Sequence, residues 1–517
     1  MKRLMLCAVT ASAIFTAATA AERQYTLTLT PQEDSHVISR MIYGQFAEHL
    51  GACIYEGIWV GEDSDIPNTN GYRNDALEAL RELAVPVLRW PGGCFADDYH
   101  WRDGIGARDT RPTLINNNWG GTKEDNSFGT HEFFNLCEML GIEPYLSVNV
   151  GSGTVAEAAE WIEYITAPNG PRADERAANG RKEPWKLKYV GIGNESWGCG
   201  GEMRPEYYSD VYRRYNVYMR NQPGNRLYRI ASGASDYNFN WTETLMKQIE
   251  PHRMDGISLH YYTVSDWGHK GSATDFTDDV YYTTVGKALE IEPVIEHHRE
   301  ILDKYDPQGK VGLLVDEWGT WFDEEPGSTP GHLLQQNTMR DAIVAALTLN
   351  IFNRQADRVR MANIAQLANV LQTMWITDGD KLFTTPTYHV FRMYRPHMDA
   401  RYIPVMLETE FIRDANGRDV PTLSATASQA SDGSATITLV NPTLDIREQI
   451  DIPLPDGIPS RIASAHILTA PDARSKNTFE SPDAVKTEQF KDAKIKSGKL
   501  NLTIPPLSIV SVTLSND

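Results

Sequence analysis

The chain predicts an α/β fold, a (β/α)8 TIM barrel followed by a C-terminal antiparallel β-sandwich of jelly-roll-like type, and three observations carry that prediction. Between residues 41 and 398, short apolar runs alternate with amphipathic helical patterns, the order of a barrel. Two of those runs end on carboxylates, Tyr189-Val190-Gly191-Ile192-Gly193 in Asn194-Glu195 and Val311-Gly312-Leu313-Leu314-Val315 in Asp316-Glu317. Beyond residue 399 the texture changes to Thr-, Ser- and Val-rich segments of period-two alternation, with turns such as Ser431-Asp432-Gly433 between them.

Strands are expected at residues 42–46, 85–90, 144–150, 189–193, 229–231, 256–260 and 311–315, with the eighth inside 368–375. Helices are expected at 75–83, 130–140, 155–165 and 339–350. Residues 25–29 alternate like the C-terminal segments, so 21–40 is read as a strand that joins the sandwich. The domains are then a barrel at 41–398 and a sandwich at 399–517. Residues 104–121, rich in Asn, Gly and Thr, form a long loop of the kind that shapes specificity at a barrel rim.

Residues 1–20 read as a secretory leader, with Lys2-Arg3, an apolar stretch and Ala18-Thr19-Ala20 as the cleavage site, which predicts export to the periplasm or the medium. No segment is apolar for long enough to span a bilayer. The formal charge of −20 argues against nucleic acid or an anionic membrane as partner. Of the cysteines beyond the leader, Cys53, Cys94, Cys137 and Cys199, none makes a Cys-x-x-Cys pair, so no zinc site is expected. Buried free thiols and a disulfide are both open readings, and Cys94 and Cys199 each adjoin a glycine-rich strand tip.

Glu195 and Glu317 lie 122 positions apart in nearly the same local setting. A carboxylate at a strand's C-terminal tip is how a barrel builds an active site, and two are the minimum for cleaving a glycosidic bond. One must be protonated to donate to the leaving oxygen and one ionised to attack the anomeric carbon; mutual repulsion creates that division. Asn194 is placed to hydrogen-bond a sugar hydroxyl. His297-His298 reads as a solvated helix face rather than a metal site, and no cofactor is expected.

The segment Gly191-Ile192-Gly193-Asn194-Glu195-Ser196-Trp197-Gly198-Cys199 resembles the acid/base segment of the α-L-arabinofuranosidases of glycoside hydrolase family 51. Ile42-Tyr43-Gly44-Gln45-Phe46-Ala47-Glu48-His49, Arg89-Trp90-Pro91-Gly92-Gly93-Cys94, Asp316-Glu317-Trp318 and Ala362-Asn363-Ile364-Ala365-Gln366 agree in the same order. The resemblance implies a retaining exo-enzyme acting on arabinose-containing oligo- or polysaccharide, with Glu195 as acid/base and Glu317 as nucleophile. It implies that Glu48, Asn194 and Gln366 bind sugar hydroxyls, that Arg89 supports the nucleophile, and that Tyr261 or Tyr262 steadies it. Cys94 falls at a sugar-contacting position, Trp101 and Trp321 are candidate apolar walls, and a homo-oligomer is expected. The rival readings are a glycosidase of the same barrel acting on another sugar and a sugar-binding protein without catalysis.

Overall fold

The computed structural model describes residues 22–516; the leader-like residues 1–20 lie outside them. Eight parallel strands close into a barrel: Gly44–Phe46, Val87–Trp90, Glu143–Val148, Tyr189–Ile192, Tyr228–Ser235, Gly256–Thr263, Gly312–Thr320 and Val359–Ala365, here barrel strands 1 to 8. Strand 8 pairs with strand 1 through Asn363 opposite Gly44, which completes the ring. The strand interiors are apolar because both faces are covered, one by the barrel core and one by helices.

Seven strands lie where the sequence puts them. The eighth does not: residues 368–374 are a loop leading into the short strand Trp375–Asp378, and the barrel strand is Val359–Ala365. Arg360 and Asn363 interrupt the apolar run there and hide it. Arg360 reaches the barrel's lower rim to donate to the Lys310 carbonyl, and the Asn363 amide donates to the Gln45 carbonyl inside the wall. The expected helices form as Asn74–Leu83, Thr130–Leu140, Val155–Thr166 and Met339–Arg354. His298 is buried rather than solvated, bonded to the Thr242 hydroxyl and the Asp236 carbonyl, and burial pulls its pKa down to about 4.

Two sheets form the sandwich, one of five strands and one of six. Their inner faces close over a core that includes Leu27, Ile437, Ile450, Leu502 and Val512. Strand Glu22–Leu29 lies inside the five-stranded sheet, parallel to Arg447–Pro453 and antiparallel to Val405–Leu407, so the sandwich has one parallel pair. Helix Met339–Arg354 is buried along nearly its whole length between barrel and sandwich, where Asn350 bonds Ser424 and Asn353 bonds Thr426.

Register shifts fall between Ser258 and His260 on strand 6 and between Val315 and Trp318 opposite strand 8. Such bulges locally re-aim side chains, and here they flank His260 and Glu317 at the barrel mouth.

Candidate active site

The C-terminal mouth of the barrel holds a small cavity of about 70 Å³. Its walls include Glu48, Glu195, Glu317, Tyr262 and Gln366, with Leu50, Leu333, Leu371, Trp119 and Trp321 as apolar surface. One carboxylate oxygen of Glu195, one of Glu317 and a ring nitrogen of His260 all lie within 4.8 Å of one another.

Strand 7 carries Glu317 into a nest of donors. Arg89 Nη1 donates to Oε1 at 2.9 Å and the Tyr262 hydroxyl donates to Oε2 at 2.8 Å. The other guanidinium nitrogen of Arg89 donates to Asn194 Oδ1 at 2.6 Å, so one side chain aligns both strand tips. Burial works against the Arg89 cation, but Asp316 and Glu317 outweigh it and raise its pKa. A Cβ at Gly93 would sit 2.9 Å from Glu317 Oε1, so the glycine leaves that carboxylate its place.

Glu195 follows strand 4 on a strained turn. Its own φ is +40°, a left-handed value that a side-chain-bearing residue rarely adopts. The Gly198 and Gly200 amides both donate to its carbonyl, and a Cβ on Gly200 would stand 1.9 Å from the Asn194 carbonyl oxygen. The glycine-rich run is therefore what lets the turn fold around the acid. Burial pushes the Glu195 carboxyl up; the hydrogen bond from His260 pulls it down, and the charge on Glu317 pushes it further up.

His260 stands between the two. Its Nδ1 is 2.8 Å from Glu195 and 3.4 Å from Glu317, and its Nε2 is 3.2 Å from Asp316. Burial disfavours the imidazolium, but Glu317, Asp316 and Glu195 overcome it and push the pKa up to about 10. Glu195, His260 and Glu317 have the spacing of a metal site. With its pKa raised, the imidazole presents its N–H groups as donors to the surrounding carboxylates.

Glu48 follows strand 1 and accepts from the Phe95 amide and the Trp119 indole on one oxygen and from Gln366 on the other, at 2.9–3.0 Å. Burial first, and Glu317 second, raise its pKa to about 7. Gln366 Oε1 has no partner.

The structure decides between the paired tyrosines. Tyr262 faces Glu317, whereas the Tyr261 hydroxyl points the other way, to the Lys287 carbonyl at 2.5 Å. Tyr261 therefore lies outside the cavity lining. So does Trp101, which is buried against Trp161 with its indole donating to the Glu157 carbonyl. Cys94 and Cys199 are neither free nor metal-binding: they form a disulfide that joins the loops after strands 2 and 4 beside the cavity. Cys53 and Cys137 are the buried free thiols.

His260, Asp316 and Trp119 were not singled out from the sequence. Asp316 accepts from Tyr145 at 2.6 Å and is held low, against burial, by Arg89 and His260.

Residues 79–280 match the α-L-arabinofuranosidase 1 domain and residues 316–508 the α-L-arabinofuranosidase C-terminal domain. A Bacteroides ovatus protein named an intracellular exo-alpha-L-arabinofuranosidase is 57% identical, over 96% of both chains. The crystal structure of a GH51 arabinofuranosidase from Xanthomonas axonopodis pv. citri superposes with a TM-score of 0.92 at 46% identity, covering 95% of this chain and all of that one. This chain belongs to the family 51 α-L-arabinofuranosidases. The α-L-arabinofuranosidase from Thermotoga maritima, solved as an arabinose complex, gives a TM-score of 0.84 at 30% identity, covering 95% and 99% of the two chains. The name of the Bacteroides ovatus relative overturns one expectation: a relative this similar is named intracellular, which argues against export. Among the described residues no helix is long and apolar enough to cross a membrane.

Proposed function

We propose that this chain removes terminal non-reducing α-L-arabinofuranosyl residues from arabinan, arabinoxylan and their oligosaccharides by double displacement, with Glu195 as acid/base and Glu317 as nucleophile. The observation that carries the reading is two carboxyls facing one cavity within 4.8 Å, in unlike surroundings. Retaining glycosidases hold their carboxyls about 5–5.5 Å apart, and inverting ones need roughly 6.5–9.5 Å to admit a water.

In the first step a Glu317 oxygen attacks the anomeric carbon as the bond to the leaving oxygen breaks. That oxygen takes the proton of Glu195. His260 donates to Glu195 Oε1, which leaves Oε2 as the atom that carries this proton. Ester formation removes the charge on Glu317, whose repulsion helped to hold the Glu195 proton. In the second step Glu195 takes a proton from water, the water oxygen attacks the same carbon, and the ester bond breaks. Glu48, Asn194 and Gln366 bind the sugar hydroxyls, and the free Gln366 Oε1 is one acceptor ready for them.

The same reading takes residues 41–398 as the catalytic domain and 399–517, with the strand of residues 21–40, as the sandwich. It includes self-association, which light scattering measures. The deciding experiment is hydrolysis of an aryl α-L-arabinofuranoside followed by NMR. The first-formed arabinose should keep the α configuration; the β anomer would refute the double displacement.

A further inference from the structure

The cavity is small, and an enzyme that removes terminal residues places the rest of its substrate chain outside it, toward the rim. Trp267, on the loop after strand 6, is 52% exposed, an unusual state for an indole. Its ring packs edge-on against Trp321 at 5.4 Å, Trp321 lines the cavity and packs against Tyr262 at 5.0 Å, and Tyr262 donates to Glu317. Among the exposed aromatic rings of the described residues, Trp267 is the one that touches a cavity-lining ring. An unbroken aromatic path thus runs from the reacting carboxylate to open surface.

The path is fixed at its outer end. The Asp266 carboxylate accepts from the Gly268 amide at 2.8 Å, and the Asp323 amide donates to the Gly271 carbonyl at 2.9 Å. The second bond ties the loop of Trp267 to the segment just past Trp321, so the two rings hold a common position.

We propose that Trp267 is the platform for the first sugar on the leaving side of the scissile bond, a neutral pentose unit of the substrate chain whose C–H face stacks on the indole. This rests on the function proposed above and adds to it a residue that selects chain substrates over small ones. Aromatic faces combine a large apolar area with low entropic cost, and one such contact changes binding by a few-fold to about tenfold.

The test compares two substrates in wild type, Trp267→Ala and Trp267→Phe. α-L-Arabinofuranosyl fluoride has no leaving-side ring, whereas linear α-1,5-arabinotriose has two, the first of which would stack on Trp267. Trp267→Ala should lose about three- to tenfold in kcat/KM on the triose, mainly through KM, and nothing on the fluoride; Trp267→Phe should recover most of the loss. Equal losses on both substrates, or none on the triose, would overturn the platform. Wild type inactive on the fluoride would instead defeat the parent function, so the two failures are distinct.

Discussion

Around Glu317 the structure gathers a guanidinium and a phenol hydroxyl, both donating to its oxygens. Around Glu195, on the other side of His260, it places a strained turn, a disulfide and one hydrogen bond from the histidine. The first setting stabilises a charge, and the second makes one costly. The comparison teaches that a shared histidine need not make two acids alike. What separates them is how many other donors each side chain finds.

The largest break in that comparison comes from deleting each acid in turn. Glu317→Ala should lower kcat on every substrate by roughly 10⁴-fold or more, the scale seen for a deleted nucleophile. Glu195→Ala should lose about 10²–10⁴-fold on oligosaccharides, the usual contribution of general acid–base catalysis. It should still react with good leaving groups and then stall as the covalent ester, visible by mass spectrometry as one added pentose. Normal oligosaccharide turnover by Glu195→Ala would reverse the assignment.

Removing the shared partner sharpens the contrast. His260 favours the charged form of Glu195, so His260→Asn should raise the Glu195 pKa. Glu195 must be protonated for the first step, and kcat/KM therefore falls as pH rises through its pKa. The alkaline limb should move upward in the variant, with a kcat loss on the order of tenfold to a hundredfold. A downward shift would mean that another group sets that limb.

Glu48 tests the same electrostatics through stability. Its folded pKa is raised to about 7 from the ordinary 4.5. The native protein thus holds this proton more tightly than the unfolded chain. Its contribution is fully present below about pH 4.5 and is lost as pH rises to 7, a change of about 3 kcal/mol. Glu48→Gln cannot titrate, and Gln366 can flip its unpartnered oxygen toward the new amide. Denaturant unfolding at pH 4.5 and 7.5 should show a smaller difference in the variant; an equal difference would place the titration elsewhere.

How much of this was legible in the sequence depends on what each signal reports. Strand-tip carboxylates announce themselves because a charge ending an apolar run has few structural excuses, so Glu195 and Glu317 stood out. Strand 8 was misplaced because Arg360 and Asn363 break its apolar run while the buried loop at 368–374 imitates one. Trp119 sits on a loop whose importance was legible but whose fold back over Glu48 was not. The disulfide joins loops 105 residues apart, and such closeness is set by barrel closure rather than by local pattern. Export was read from Lys2-Arg3, the apolar stretch after it and the small residues Ala18-Thr19-Ala20, a local pattern whose implication the intracellular relative contradicts.

The smallest effect concerns two adjacent residues. Along a strand, side chains alternate faces, so Tyr262 shares a face with His260 and Tyr261 does not. Parity would have chosen between them once His260 was known to point inward. Tyr262→Phe removes a hydrogen bond to a charged group and should cost roughly tenfold in kcat/KM. Tyr261→Phe should leave kinetics untouched and cost about 1 kcal/mol of stability, the worth of one ordinary hydrogen bond to the Lys287 carbonyl. If Tyr261→Phe slowed the reaction as much as Tyr262→Phe, the alternation that points one ring at the nucleophile and the other at a helix would have no kinetic meaning. The donor count that distinguishes Glu317 from Glu195 would then need another source.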